Sequence, residues 1–190
     1  PVLRLFCCFR ASQTLSAFIV VKLLQLCCSC RYIDTTDFTV LSGNNTWYLF
    51  GDQVEEFWDH FLSSYRWPHL SAELKRADPV SYHQTAAFGI GGAGSGVPFH
   101  LHGGGWSEVL HGAKHWYLFD LSIGSTYPQD DPQQSQWDWT LNRYPRLTNE
   151  EQQALYECTI RPGETLYFPT KWFHATLNTE PYTVFVSTFT

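Results

Sequence analysis

The sequence predicts a mainly β protein that closes into a small barrel, and three observations support this fold class. Short runs rich in aromatic and β-branched residues, bounded by Gly and Pro, are typical of strands, and several occupy the carboxy-terminal third. His100 and His102 have strand spacing, because side chains alternate with period two and both rings then share one face. His174 lies far downstream, and only a sheet that curls back on itself brings a third imidazole beside that pair.

Composition and charge limit the classes of function. The chain has 190 residues, of which 44% are hydrophobic and 17% aromatic, as expected for one globular domain with a sizeable core. The formal net charge is -6 and the 12 basic residues are scattered, whereas a nucleic-acid surface shows clustered Lys and Arg. We therefore expect no nucleic-acid partner. Because the chain contains no Met and opens on Pro1, we expect a fragment or a processed form that carries no signal peptide.

The amino-terminal segment differs from the rest of the chain. Between residues 11 and 30 only Lys22 is charged, which is compatible with a membrane span, a packed helix or strand, or sequence foreign to the fold. A lysine at the centre of a span costs about 2.5 to 3.5 kcal/mol, and the uncharged arms on either side are short. We therefore expect no membrane span in the folded domain. The predicted division is an atypical segment over 1–42 and a domain over 43–190.

The first elements of the predicted domain are a turn, a strand and a helix. Ser42 to Thr46 reads as a turn, and the aromatic run after it, Trp47 to Phe50, predicts a short strand. Asn44 begins an N-x-[ST] pattern, so we expect it to lie in an exposed turn and to carry a glycan. Residues 53–64 have apolar side chains at helical spacing, which predicts an amphipathic helix packed on the sheet.

A glycine-rich stretch over residues 88–96 formally matches the G-x-G-x-x-G pattern of dinucleotide-binding proteins. That fingerprint requires a helix to begin there, whereas Gly96-Val97-Pro98 leads into a strand. We therefore exclude a nucleotide site. The glycines are interpreted either as a tight turn or as a place where the backbone approaches a ligand closely.

The remaining elements are predicted to be strands that flank one insertion. Residues 107–119 predict a hairpin or a bulged strand broken at Gly112. Residues 121–155 form a polar, proline-containing insertion in which Thr148 or Asn149 caps a short helix. Four further strands are expected over residues 157–161, 165–168, 174–177 and 183–189.

Four short motifs occur in an order that resembles one protein family. They are His100-Leu101-His102, Gly112-Ala113-Lys114, Pro162-Gly163-Glu164 and Pro169-Thr170-Lys171-Trp172-Phe173-His174. This pattern resembles the JmjC (jumonji C) oxygenases, and the similarity covers roughly residues 43 to 190. The resemblance implies a double-stranded β-helix, the jelly-roll or cupin-like barrel, with a few peripheral helices.

The resemblance also assigns roles to individual residues. It implies that His100, His102 and His174 hold Fe(II) or another divalent transition metal, and that Lys114 pairs with the distal carboxylate of 2-oxoglutarate. His102 stands where the family has an acid, and the loss of an anionic oxygen weakens the preference for iron without preventing imidazole from binding a metal. Two interpretations without a metal or cofactor role stay open. The first two histidines can be polar residues at a barrel mouth, and Lys114 can reach solvent from a strand edge.

Three other positions bear on the pocket. Val97 replaces a hydroxyl that many relatives use for the cofactor, and Ser187 replaces a frequent asparagine, so both departures weaken a 2-oxoglutarate pocket. Glu108 has the same strand parity as Lys114 and is a candidate to supply a carboxylate near the metal or to neutralise the lysine. The break at Gly112 would spoil that parity.

Two functions from different classes follow. The first is a 2-oxoglutarate-dependent oxygenase of the hydroxylase type that acts on protein. The second is a catalytically inactive JmjC domain that serves as a protein-interaction or regulatory module; a cupin-like small-molecule binder is a third, based on fold analogy alone. The resemblance and the Asn44 pattern together imply the lumen of the endoplasmic reticulum, where a disulfide at Cys158 is permitted.

Overall fold

We describe the fold from a computed structural model, which defines residues 8–10, 47–51, 61, 63–77, 85–120, 131 and 133–189. Strands dominate this part of the chain. They are β1 (Cys8–Arg10), β2 (Tyr48–Gly51), β3 (Thr85–Gly92), β4 (Gly96–His100), β5 (Gly105–His111), β6 (Lys114–Asp120), β7 (Leu155–Ile160), β8 (Glu164–Phe168), β9 (Trp172–Asn178) and β10 (Tyr182–Phe189). The helices are α1 (His69–Ala77), α2 (Gln136–Asn142) and α3 (Asn149–Ala154), with a 3-10 turn at Tyr144–Arg146.

The strands form two antiparallel sheets that share one interior. The larger sheet has the order β1-β8-β5-β10-β3-β2, and the smaller has the order β4-β9-β6-β7. From β3 to β10 the chain crosses repeatedly between the sheets, because β4, β6, β7 and β9 lie in one and β5, β8 and β10 lie in the other. The predicted fold class, a mainly β double-stranded β-helix with a few peripheral helices, is therefore confirmed.

The strand predictions are confirmed for the carboxy-terminal third, with ends that differ by one or two residues. Thr148 caps α3 as predicted: its side chain accepts from the backbone N–H of Glu151, and the Glu151 carboxylate accepts from the backbone N–H of Thr148. Of the predicted helix over residues 53–64, Phe61, Ser63 and Ser64 are described, and all three are helical.

The predicted hairpin between residues 107 and 119 is wrong. β5 and β6 do not pair; they lie in different sheets. Gly112 makes the corner between them with a φ of 81°, where an added Cβ would lie 2.4 Å from the carbonyl oxygen of Tyr182. Only glycine fits this turn, and the chain uses it to leave one sheet and enter the other.

Several predictions concern residues outside the described ranges. They are the Asn44 turn, the apolar stretch around Lys22 and the boundary at residue 42. Within the segment over 1–42, the structure describes β1, which pairs antiparallel with β8 through Phe9 opposite Thr165. No helix in the described ranges is long and apolar enough to cross a membrane.

Strand β6 is buried on both faces and organises two hydrophobic clusters. All seven of its residues are buried. Alternate side chains, among them Trp116 and Leu118, face the interior between the sheets and pack with a cluster that includes Phe168 and Phe185. The opposite face packs under α2 and the 3-10 turn, in a cluster of Phe99, Tyr117, Phe119, Trp139, Tyr144, Leu147, Phe173, Ala175 and Leu177. Lys114 shares the interior parity of Trp116, so the strand directs a lysine into the barrel.

The close approach of β4 to β9 predicts a strong effect at Gly96. A Cβ added at Gly96 would lie 1.9 Å from the carbonyl oxygen of Thr176, so the backbone would have to move. We expect Gly96→Ala to lower the free energy of unfolding by about 2 to 3 kcal/mol, as overpacking does. Gly51→Ala is the matched control, since nothing lies within 4 Å of its added Cβ. Urea unfolding of both variants provides the measurement, and equal losses would contradict the packing described.

Candidate metal centre

The structure brings the three predicted histidines together at one end of the barrel. His100 ends β4 and is the register partner of His174 in β9, while His102 follows two residues after His100. The ring centroids lie 4.3 Å apart for His100 and His174, 4.7 Å for His102 and His174, and 5.2 Å for His100 and His102. One nitrogen from each ring lies within 4.8 Å of the other two. Among the described residues this cluster contains imidazoles alone, with no carboxylate.

Backbone carbonyl groups orient all three rings. The Nδ1 atom of His100 lies 2.8 Å from the oxygen of Pro98, that of His102 lies 2.7 Å from Gly103, and that of His174 lies 2.8 Å from Trp172. A carbonyl oxygen only accepts, so each neutral ring carries its proton on Nδ1. The Nε2 lone pairs are therefore left free, which is the tautomer that binds a metal through Nε2.

The spacing of the free nitrogens fits a shared metal ion. The Nε2 atoms of His102 and His174 lie 3.1 Å apart, and with both protons on Nδ1 no hydrogen bond joins them. Two lone pairs facing each other at this distance repel unless a cation lies between them. Two nitrogens bound to one metal at about 2.1 Å and at a right angle would be about 3.0 Å apart. The donor set and its spacing therefore fit one divalent transition metal.

Burial keeps the imidazoles of His100 and His174 neutral at physiological pH. Burial lowers the pKa of His174 to about 3, with a further contribution from the positive charge that His100 would carry. The pKa of His100 is also lowered, mainly by burial and less by the charges of His102 and Lys114. At these two positions a metal therefore meets deprotonated ligands near neutral pH.

An aromatic wall surrounds the cluster on its inner side. The Phe168 ring lies 4.6 Å from that of His174, and the Phe189 ring lies 4.9 Å from that of His102. Trp116 stacks on Phe168, and its Nε1–H is buried without an acceptor in the described part of the chain. His100 and His102 are half-buried. The histidines therefore face solvent on one side and a dry interior with an unused donor on the other.

Lys114 lies inside the barrel, and within the described ranges it meets no anion. Its side chain is 1% exposed, and its Nζ lies 3.5 Å from Oδ1 of Asn178, 3.6 Å from the centre of the Phe185 ring and 5.4 Å from that of Tyr48. No carboxylate of the described residues forms an ion pair with it. Burial lowers its pKa to about 7. The positive charge of Lys114 is complementary to a carboxylate ligand such as that of 2-oxoglutarate. However, the Phe185 ring covers one side of the ammonium.

Glu108 does not belong to this interior, so the proposal that it lies near the metal or Lys114 is wrong. It lies on the outer face of β5, where the Tyr65 hydroxyl donates to its Oε2 at 2.5 Å. Burial raises the pKa of Glu108, and burial together with this bond raises the pKa of Tyr65. The corner at Gly112 separates β5 from β6, so strand parity cannot be counted across it. Together with Phe61, Arg66 and Leu110, this pair lines an open cleft of about 410 Å³.

Two other residues predicted to bear on the pocket, Ser187 and Val97, form hydrogen bonds within the protein. Ser187 donates to Ser107 at 3.0 Å inside the barrel, and the Val97 N–H donates to the Thr176 hydroxyl at 3.3 Å. Cys158 is buried in β7. Sequence reasoning did not single out Asn178, although it has the parity of His174 on β9 and could have been found by extending that count.

A second buried histidine lies outside the interior. His115, on the opposite face of β6 from Lys114, contacts Thr159 at 2.8 Å and Glu157 at 3.3 Å. Tyr144 donates to the same carboxylate at 3.0 Å. These contacts join the smaller sheet to the 3-10 turn that covers it. His115 is therefore not part of the metal centre.

Comparisons with known proteins agree with this architecture. Residues 63–189 match the cupin-like domain family. JmjC domain-containing protein 8 of Rattus norvegicus is 43% identical over 147 residues, which is 77% of this chain and 50% of that protein. Lysine-specific demethylase JMJ21 of Arabidopsis thaliana is 32% identical over 149 residues, covering 70% of this chain and 16% of that protein.

A third relative carries two activities in its name. The bifunctional arginine demethylase and lysyl-hydroxylase psr-1 of Caenorhabditis elegans is 30% identical over 112 residues, 53% of this chain and 28% of that protein. The chain spans about half the length of the JmjC domain-containing protein 8 relatives it matches. From the two-sheet barrel, the three-histidine cluster at its mouth and a family match over most of its residues, we conclude that the chain belongs to the cupin-like, JmjC domain family.

Proposed function

We propose that this domain binds Fe(II) at His100, His102 and His174 and hydroxylates protein side chains with 2-oxoglutarate and O2. The observation that carries the proposal is the cluster of three imidazoles, each held through its Nδ1 by a backbone carbonyl, with one ligand nitrogen from each ring within 4.8 Å of the others. Fe(II) bound here would activate O2, the oxidant, while 2-oxoglutarate would be oxidised to succinate and CO2, so that one oxygen atom enters a substrate C–H bond and the other enters succinate. The names of relatives include lysine demethylase and lysyl-hydroxylase, which supports a protein substrate.

The residues of this chain provide binding, charge and exclusion of water. The three imidazoles hold the metal, and the Lys114 ammonium faces the interior, where a dicarboxylate needs a counter-charge. Phe168 and Trp116 close the inner side, so the reacting groups would be shielded from solvent there. A protein substrate would approach from the half-buried side of His100 and His102.

His102 favours a second candidate function. An all-imidazole set gives the bound ion no anionic ligand from the protein, and carboxylate is the ligand that distinguishes iron oxygenases from other imidazole sites. The second candidate is therefore a metal-bound but catalytically silent domain that acts by binding other proteins. The two candidates differ in one measurable property, turnover of 2-oxoglutarate.

The test of turnover is His102→Asp. If the missing carboxylate limits the reaction, the variant should prefer Fe(II) over Zn(II) more strongly and should raise uncoupled succinate release from 2-oxoglutarate. We expect a rise of at least about tenfold, the smallest effect typical of changes around a metal. His111→Asp is the matched control, because His111 lies at the exposed end of β5, stacked on Tyr182. No succinate from wild type or His102→Asp with iron bound and millimolar 2-oxoglutarate would favour the silent domain.

We also propose that the protein resides in the lumen of the endoplasmic reticulum and carries glycan on Asn44. The Asn44-Asn45-Thr46 pattern supports this proposal, and it lies outside the described residues. Glycosidase treatment of the protein from cells should increase its electrophoretic mobility. Asn44→Gln and Thr46→Ala should each abolish the shift, whereas Asn45→Gln keeps the pattern and should preserve it. An unshifted wild type would remove the support for this compartment.

A further inference from the structure

Phe185 occupies the side of Lys114 that faces across the barrel. Its side chain is 1% exposed in β10, and its ring centre lies 3.6 Å from the lysine Nζ, which is direct contact between the ring face and the ammonium. A carboxylate oxygen bound to an ammonium lies about 2.7 to 2.9 Å from the nitrogen. The ring and such an oxygen cannot occupy the same side, so Phe185 competes with an anion for Lys114.

The position of the ring is built into the larger sheet. Phe185 is the register partner of Gly89 in β3, and a Cβ added at Gly89 would lie 2.1 Å from Cζ of Phe185. The ring therefore lies over a strand position that only glycine leaves open. The Phe50 ring stacks on that of Phe185 with centres 5.8 Å apart and an interplanar angle of 17°, and the Tyr48 ring lies 6.0 Å away. Two aromatic neighbours and one glycine thus hold the ring over the lysine.

The other described neighbours of the ammonium are also neutral. Asn178 offers its Oδ1 at 3.5 Å, a long bond, and its Nδ2 donates to Ser95 at 3.0 Å. The lysine Nζ also lies 5.4 Å from the centre of the Tyr48 ring, within the range of a cation–π contact. The ammonium is therefore stabilised by ring faces and one amide, which compensate a buried charge far less well than a carboxylate does.

We propose that Phe185 is the specificity-determining residue of the acid-binding pocket: its ring stands in the carboxylate position at Lys114 and sets how tightly a dicarboxylate binds. This inference rests on the proposed function, because it takes 2-oxoglutarate as the acid. A smaller side chain at position 185 exposes the Lys114 ammonium to the dicarboxylate. Substitutions at the histidines alter metal binding but leave the Phe185 ring in competition with the ligand carboxylate. The wild-type domain accordingly binds 2-oxoglutarate weakly for a reason independent of His102.

The experiment is titration of 2-oxoglutarate into the full chain loaded with Mn(II), which allows binding without turnover, by isothermal calorimetry. Phe185→Val removes the ring and suits a strand. Phe119→Val is the matched control, since Phe119 is equally buried but on the outer face of the smaller sheet. We expect the Kd for 2-oxoglutarate to fall at least tenfold in Phe185→Val and to stay within twofold of wild type in Phe119→Val. Adding Lys114→Met to Phe185→Val should remove the gain.

The outcomes separate this inference from the proposed function. Equal 2-oxoglutarate affinity in wild type and folded Phe185→Val would overturn the inference and leave the proposed function standing. No 2-oxoglutarate binding in any variant that holds Mn(II) would overturn both, and the silent domain would replace the oxygenase. Phe185→Leu, which keeps more of the buried volume, serves if the valine variant does not fold, and the gain there should be smaller and in the same direction.

Discussion

Replacing His174 by alanine is expected to raise the Kd of the domain for Zn(II) or Mn(II) by more than about 100-fold, beyond the loss typical of outer-sphere changes. His174 is the most deeply buried of the three histidines, and its Nε2 lies 3.1 Å from that of His102. Without it, two half-buried imidazoles remain, fewer than the three protein ligands of a catalytic zinc site. Elemental analysis after gel filtration and metal titration provide the measurement.

Stability gives an independent readout of the same change. A metal that binds only the folded state at 100 times its Kd adds about 2.7 kcal/mol to the free energy of unfolding. Wild type and the control His111→Ala should both gain this increment, and His174→Ala should not. Equal metal content in the three proteins would exclude the histidine cluster as the site.

Lys114→Met is expected to raise the free energy of unfolding at pH 7 by about 4 kcal/mol. Burial lowers the pKa of Lys114 from 10.5 to about 7, so the unfolded chain binds the proton more strongly than the folded one. Protonation therefore destabilises the fold, fully below pH 7 and progressively less as the pH rises toward 10.5. Wild-type stability should rise by about 2 kcal/mol from pH 7 to pH 9, and the methionine variant should lose this dependence.

The described groups around Lys114 do not change their charge between pH 7 and pH 9. Burial raises the pKa of Tyr48 and lowers that of His100, so both are neutral between pH 7 and 9, and Asn178 does not titrate. Lys75→Met, an exposed lysine in α1, is the control and should keep the wild-type slope. Urea unfolding at both pH values checks the result, and a flat wild-type profile would mean that an anion already neutralises the lysine.

The metal centre could be predicted from sequence because the family pattern contains all three histidines. Period-two alternation applies to His100, which ends β4 in register with His174 on β9, whereas His102 lies two residues beyond the end of the strand. Lys114 follows by the same count within β6. The family pattern and the strand period thus predict the fold class and four of the residues around the interior.

The contacts that could not be predicted depend on pairings between distant strands. Glu108 was misplaced because the left-handed corner at Gly112 sends β5 and β6 into different sheets, and no spacing rule extends through such a corner. The contact of Phe185 with Lys114 depends on Gly89 lying opposite Phe185, almost a hundred residues away. Its side chain has ordinary core chemistry, so sequence alone gives no sign that it covers a cation.

The carbonyl groups that orient the three imidazoles have an evolutionary consequence. Each comes from the main chain within two residues of its histidine, so side-chain substitutions elsewhere cannot remove these bonds. A ligand position can then exchange one coordinating residue for another while the remaining rings keep their aim. Single substitutions at the mouth can therefore change the ligand set of the site without rebuilding the barrel that supports it.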